Sequence, residues 1–253
     1  MSTYTIKQGD TLFEIAKKSN ISLEQLEAAN PGLDPKKLQL GQVIKLPSKS
    51  NNGGNQGGPQ NPAKGIPGSH GGTNGGGNYV NYGGPASNFP NPSQWATYDF
   101  LWKQNYRLMK LNDSDSEVAQ IHQAIEKVAS ESGVDVRVIL CIIMQESGGN
   151  VRVRTTNNGV RNPGIMQSHN GVEFDPAKPA ASILQMVRDG TEGTKSGPGL
   201  KQLRAKHGNY YTAFRAYNSG SVNEKDLNDP VGATADYVQK TANRLMGHSW
   251  KGM

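Results

Sequence analysis

The 253-residue chain has one cysteine, Cys141, so no disulfide framework can form within it. The residues around it, from Val138 to Met144, are apolar, and the thiol reads as a buried, inert group rather than a nucleophile. No apolar run reaches the ~18 residues that a membrane span requires. The stretch MSTYTIKQGD lacks the apolar core of a signal peptide. The sequence therefore predicts a chain that stays inside, leaves without a Sec signal, or has had its signal trimmed. HExxH, CxxC and clustered His/Asp are all missing, and the glycines form no phosphate loop. No metal and no cofactor are expected. Apolar content is only 34% and mean hydropathy is -0.66, alongside 31 glycines and 14 prolines. That is too little for one core running the whole length. The net charge of +6 suits anionic partners such as nucleic acid, anionic membrane or acidic wall polymers, or simply a soluble basic protein. No nucleic-acid motif accompanies the charge.

Three zones separate by composition. Residues 1–47 are compact and patterned. Residues 48–92 hold 13 Gly, 9 Asn and 6 Pro. Such a segment buries too little surface to offset its ordering entropy and reads as a flexible tether, with ends about 35–40 Å apart as a free coil. Residues 93–253 carry most of the remaining apolar positions and read as helical. The aromatics of FPNPSQWATYDFLW are placed to pack against that second domain, and they leave open where order resumes.

In the first zone, TYTIKQGD alternates like a short strand, and Gly9 breaks it. Asp10 or Thr11 can cap the helix TLFEIAKKSN, whose Leu12, Ile15 and Ala16 form one apolar stripe. Ser22 and Gln25 have the spacing of a capping box for LEQLEAAN. A turn-rich NPGLDPKKLQLGQ then leads to a closing strand, VIKLP. The order is βααβ. These residues resemble a LysM domain, most specifically at Gly9-Asp10-Thr11-Leu12 and Asn30-Pro31. The resemblance implies binding to N-acetylglucosamine-containing glycans, peptidoglycan or chitin. It places the groove between Gly9–Leu12 and Asn30–Asp34, with Leu12 or Leu33 against the N-acetyl methyl. Gly9, Asp10, Thr11, Leu12, Asn30, Pro31 and Leu33 are the candidate contacts, although the same residue types also make turns and caps.

In the third zone, Ser114 to Glu117 is a capping box, followed by Val118, Ile121, Ile125 and Val128 at helical spacing up to Gly133. His122 in that helix reads as a structural histidine. Asp135 can cap a second helix, VRVILCIIMQES, which is apolar nearly all round and so central. Glu146 lies on its last turn, on the face of Ile139, Ile142 and Ile143. Burial and the negative end of the helix dipole both raise a carboxyl pKa there. A glutamic acid that keeps its proton near neutrality is what a general acid needs. The alternative is a last-turn glutamate that swings into solvent.

Four motifs follow in order: Glu146-Ser147-Gly148-Gly149-Asn150, Gly164-Ile165-Met166-Gln167, Ala216-Tyr217-Asn218-Ser219-Gly220 and Tyr237-Val238. Over about residues 117–246 the chain resembles the soluble lytic transglycosylases and, more distantly, goose-type lysozyme. The resemblance implies a lysozyme-like helical fold that cleaves between N-acetylmuramic acid and N-acetylglucosamine. One glutamate protonates the leaving oxygen and then, as carboxylate, takes the proton of the muramoyl 6-hydroxyl that closes a 1,6-anhydro ring. It further implies that Ser147 positions Glu146 or binds nearby backbone, and that Gly164, Ile165, Met166 and Gln167 line the cleft. Tyr217 would bond Glu146 or substrate, Asn218 would hold the N-acetyl group, and Tyr237 would join them. The chain departs from the family after Gln167, where Ser168-His169-Asn170-Gly171 replaces an apolar residue and proline. His169 is an additional candidate contact. No Asp or Glu lies between Glu146 and Glu173. This favours a single acid over the paired carboxylates of ordinary glycosidases, unless Glu173, Asp175, Asp189 or Glu192 folds back. Arg152, Arg154 and Arg161 stand there instead, set to meet peptide-stem carboxylates or to stay solvated.

The expectation is an α+β chain: a LysM module (1–47), a tether (48–92) and a mainly α lysozyme-like domain (93–253). It is expected to be a monomer acting on peptidoglycan or chitin strands, outside the cell or at the wall. A hydrolytic muramidase or chitinase on the same fold and a non-catalytic glycan-binding protein are the alternatives.

Overall fold

The computed structural model describes residues 2–8, 10, 12–19, 26, 29–31, 33, 38–47, 66–69, 72–73, 75–76 and 78–248. The chain divides into two compact units, residues 1–62 and 63–253.

In the first unit, β1 (Ser2–Thr5) pairs antiparallel with β2 (Val43–Leu46), in register from Ser2 opposite Leu46 to Thr5 opposite Val43. Between them lies α1 (Leu12–Ser19). The stripe expected on this helix is its buried face: Leu12, Ile15 and Ala16 meet Ile6, Leu26 and Ile44 in a small core. The second helix and its Ser22–Gln25 box fall largely outside the described residues. Among the described residues, polar groups add to this core. The Asn30 side chain donates to the carbonyls of Leu26 and Lys45, 2.8 Å each, and accepts from Lys45 N at 2.8 Å. It thus acts as an extra rung beside β2.

The second unit is helical. Its elements are α2 (Tyr98–Met109), α3 (Asp115–Ser132), α4 (Val136–Glu146), α5 (Pro179–Glu192), α6 (Leu200–His207), α7 (Tyr210–Ser219) and α8 (Tyr237–Leu245). A short hairpin of β3 (Thr156–Asn157) and β4 (Arg161–Asn162) is inserted after α4. Local chemistry sets the boundaries. Thr97 caps α2 through Phe100 N, and the Ser114–Glu117 box opens α3. Gly133, at φ 78°, closes α3 in the left-handed region that favours glycine. Asp135 caps α4 by accepting from Arg137 N at 2.9 Å. Every residue from Val136 to Met144 is buried, and α2, α3 and α8 pack around this central helix. At about 1.5–3 kcal/mol for each buried aliphatic side chain, this helix is a large share of the unit's driving force.

The stretch expected to be a tether over 48–92 departs from that expectation in its second half. Ile66 and Tyr82 pack on the helical core, and Phe89 is buried against Tyr211 at 4.8 Å between ring centres. Backbone groups do most of the rest. Pro67 O accepts from Val136 N (2.9 Å), an otherwise unpaired amide at the start of α4. Thr73 bridges to Ala96, Val80 exchanges two bonds with the Asn243 amide (3.0 and 2.8 Å), and Gly84 N donates to Asp226 (3.0 Å). Glycine is needed in places: a Cβ at Gly72, φ 111°, would lie 2.7 Å from Trp95 O. A glycine-rich strap can therefore be fixed without burying much apolar surface, which composition alone does not reveal. The aromatics after it pack as expected, with Trp95 fully buried and its indole N–H donating to Tyr211 Oη at 2.8 Å.

Candidate functional site

Glu146 is the last residue of α4 and is half-buried. It lines a pocket of about 310 Å3 with Leu108, Leu111, Asn112, Met144, Gly148, Val153 and Arg244, among others. Burial pushes its carboxyl up to about 7, while the hydrogen bond it accepts from Tyr237 pulls the other way. Near neutrality it is therefore divided between acid and carboxylate, able to give a proton and to take one back. Among the described residues it is the one acid lining that pocket. The four acids that might have joined it are engaged elsewhere. Glu173 pairs with Arg161 (2.7 Å) and accepts from the Thr155 hydroxyl (2.5 Å). Asp189 accepts from Val172 N (2.9 Å) and Gln185 (2.7 Å). Asp175 accepts from Ala177 N, and Glu192 lies 3.9 Å from Lys201.

The tyrosine on Glu146 is Tyr237, at the start of α8. Tyr217, expected from the resemblance to reach either Glu146 or substrate, donates instead to Met166 O at 2.7 Å. Burial and the neighbouring Glu146 both raise the Tyr217 phenol, so it stays protonated. Ser147 accepts from Gly149 N (3.1 Å) and bonds the carbonyls of Ile143 (3.0 Å) and Ile165 (2.8 Å). It ties the end of α4 to the segment 164–167. Ile165 and Met166 are fully buried, so their side chains belong to the core and not to a cleft wall. Gly164, at φ 77°, is required by its own chain: a Cβ there would lie 2.8 Å from Val172 O and 2.9 Å from the Met186 side chain. Close approach of a sugar is not needed to explain it.

Gln167, His169, Tyr217 and Asn218 line a second pocket of about 790 Å3, without Glu146. Gln167 sits in the left-handed region (φ 46°) and is braced by Thr156 (2.9 Å) and Gly164 O (3.0 Å). Asn218 turns its carbonyl oxygen to Arg215 and to Thr234 N (3.1 Å), a structural duty. The motif residues thus divide between pockets.

Two groups in this region carried no sequence signal for a role. Arg244 of α8 lines the Glu146 pocket and donates to Gln145 at 3.0 Å, and burial lowers it to about 10. Asp113 is buried beside Asn112 and accepts from Val151 N at 3.2 Å. Burial raises its carboxyl to about 6, and its Oδ2 has no hydrogen-bond partner. Neither is near Glu146 in sequence. The other singled-out side chains are structural. His122 lies buried between the Tyr98 and Trp102 rings, 3.5 Å from Glu126. Burial raises the Cys141 thiol to about 12.

In the first unit the candidate contacts also have internal duties. Leu12 is in the core, Leu33 packs against it, and Asn30 bonds the backbone of Lys45 and Leu26. Asp10 accepts from Tyr4 Oη and Lys7 N, 2.8 Å each, and Lys18 reaches it at 3.4 Å. Pro31 is exposed. Gly9, Thr11 and Asp34 lie outside the described residues.

Residues 4–47 match the LysM domain family. This part of the chain is a LysM domain. Such a domain implies carbohydrate binding of the peptidoglycan or chitin kind. The chain is 50% identical over 46 residues to a secreted LysM effector, ELP2, of Colletotrichum higginsianum, covering 18% of this chain and 26% of the effector. It is 52% identical over 48 residues to a putative sporulation-specific glycosylase, YdhD, of Bacillus subtilis, covering 19% and 11%. The chain thus spans about a quarter or less of the length of these curated relatives. Among solved structures it is similar to the LysM domain of a Volvox carteri chitinase, with 42% identity over 19% of this chain and 96% of that one and a TM-score of 0.18. It is also similar to the LysM domain of Pteris ryukyuensis chitinase A, with 44% identity, 19% and 100% coverage and a TM-score of 0.19.

Proposed function

We propose that the protein cleaves the glycan strands of peptidoglycan, with the LysM domain holding the polymer and Glu146 of the helical unit acting on it. The observation that carries the reading is Glu146 itself: a carboxyl at the end of a buried helix, raised to about 7 and held by one phenol. As the acid it protonates the glycosidic oxygen when the bond to the anomeric carbon breaks. As the resulting carboxylate it takes a proton from the nucleophile. With no second acid among the described residues that line its pocket, that nucleophile is best supplied by the substrate's own muramoyl 6-hydroxyl. This is lytic transglycosylase chemistry, and it releases a 1,6-anhydro end. The helical unit is read as lysozyme-like on the strength of the motifs quoted above. The relatives named as a secreted effector and a sporulation glycosylase support a place outside the cell or at the wall.

Glu146→Gln is the test. It is expected to cut the loss of turbidity of purified peptidoglycan by about 10²- to 10⁴-fold, the range for removing a general acid, while pull-down by the polymer is retained. Mass spectrometry of the products separates the chemistries, because anhydro ends are one water lighter than the reducing ends of a hydrolase. A second reading has its own support: the family match ends at residue 47. On that reading the helical unit binds glycan without cutting it. Wild-type protein that leaves turbidity unchanged would establish it over ours, whereas a Glu146→Gln variant that lyses equally well would take the acid's role from Glu146 and leave the cleavage standing.

A further inference from the structure

Beside the Glu146 pocket, and sharing Val153 with it, lies a pocket of about 530 Å3 lined by Arg152, Arg154, Thr155, Gly164, Glu173 and Phe174, among others. Three arginines follow α4, the last of them opening β4, and the structure gives them different work. Arg161 pairs with Glu173 at 2.7 Å. Arg152 pairs with Glu117 at 2.5 Å and lies over the Phe174 ring at 4.6 Å. Its side chain is still 51% exposed. Arg154 is exposed, and no acid among the described residues pairs with it. Its carbonyl accepts from Gln167 Nε2 at 3.4 Å. Glu173, the one acid in the lining, is already held by Arg161 and Thr155. The pocket therefore carries an uncompensated positive charge in its lining, beside the apolar Phe174 and Pro176.

We propose that this pocket is an anion subsite that takes a carboxylate of the peptide borne by a muramoyl residue, with Arg154 as its main contact and Arg152 as its flank. The inference rests on the peptidoglycan reading above and sharpens it: a neutral chitin strand has nothing to place there. Arg154 is then a specificity-determining residue and takes no part in proton transfer.

The test uses the full chain and one soluble uncrosslinked peptidoglycan strand in two forms, native and with its carboxylates converted to neutral amides. Cleavage is measured for the wild type and Arg154→Gln, and binding is measured for the same pair in a Glu146→Gln background. The LysM domain is common to every arm and cancels. The parent is expected to prefer the native strand about two- to fivefold, the yield of an exposed ion pair. Arg154→Gln is expected to remove that preference by weakening the native strand alone, and added salt should erode it in the parent. A preference unchanged in Arg154→Gln, or absent from the parent, overturns the proposal. If no arm shows cleavage, the Glu146 reading fails, and the binding arms still decide the subsite by the same criterion.

Discussion

The two ends of α4 treat charge in opposite ways. At its start, Asp135 is surrounded by donors: Arg137 N, the Arg137 guanidinium at 2.6 and 3.0 Å, and a helix N-terminus that favours negative charge. Arg137 in turn lies over Trp95 at 5.0 Å and reaches Pro92 O at 3.3 Å. At the other end, eleven residues from that cap, Glu146 meets a helix C-terminus that disfavours its charge, and its hydrogen bond comes from a neutral phenol. The first arrangement is a structural lock. The second leaves a carboxyl whose charge the fold does little to stabilise. Glu117 makes the same point from a neighbouring helix: burial opposes its charge, yet Arg152 and the Ser114 cap bring it down to about 2. Among the described residues no such cation is bonded to Glu146, and that difference, more than burial alone, separates a fixed anion from a titrating acid.

Un-neutralising the first end should have the largest effect. Arg137→Ala leaves Asp135 in place with its buried cation gone, and should destabilise the helical unit by about 3–5 kcal/mol, the usual cost of orphaning a buried charge. Urea unfolding followed by tryptophan fluorescence measures it. A loss below about 1 kcal/mol would show that the cap and the dipole hold Asp135 without the ion pair.

Neutralising the second end should act in the opposite direction. Native Glu146 titrates at about 7 against an ordinary value of 4.5. Between those pH values the native protein holds a proton that the unfolded chain has lost, so stability falls as pH rises through the window. Glu146→Gln removes the penalty. Its unfolding free energy should match the parent's at pH 4 and exceed it by about 1–3 kcal/mol at pH 8. Equal stabilities at pH 8 would mean that Glu146 is solvated and unperturbed.

What could be foreseen of this contrast was local. Asp135 as a cap, the Ser114–Glu117 box, Gly133 as a stop and the apolar run placing Glu146 at a buried helix's end all lie within a few residues of one another. Period and capping chemistry report such features directly. The misses came from distance. Tyr237 and Glu146 are 91 residues apart, and nothing in the period of α7 or α8 distinguishes the phenol that reaches Glu146 from the one that reaches Met166 O. The strap from Ile66 onward is held largely by backbone atoms, which every sequence has, so its glycine content read as looseness. Asn30 and Leu12 lie in motif stretches associated with ligand, yet Asn30 is tied to backbone and Leu12 is buried. A turn that presents a ligand groove must first be built, and its side chains are used in building it.

The smallest and most discriminating change is at the phenol. Tyr237→Phe removes the one hydrogen bond that lowers the Glu146 carboxyl and leaves the desolvation that raises it. The carboxyl should therefore titrate at higher pH than in the parent. The loss in folding stability should be slight, within about 1 kcal/mol, because the lost bond joined a neutral donor to a group that is partly protonated near neutrality. A carbon-13 NMR titration of the glutamate carboxyls, with Glu146→Gln to assign the resonance, reads the shift without requiring any activity. If the protein cleaves glycan, the alkaline limb of its pH–rate profile should move the same way, since that limb reports loss of the acid's proton. Tyr217→Phe is the control. Its hydroxyl donates to Met166 O, so the Glu146 resonance should move much less. A larger shift from Tyr217→Phe than from Tyr237→Phe would return the role to the residue that the sequence motif first suggested. A downward shift from Tyr237→Phe would mean that the phenol accepts from a protonated Glu146, and so stabilises the acid where it is here assigned to the carboxylate.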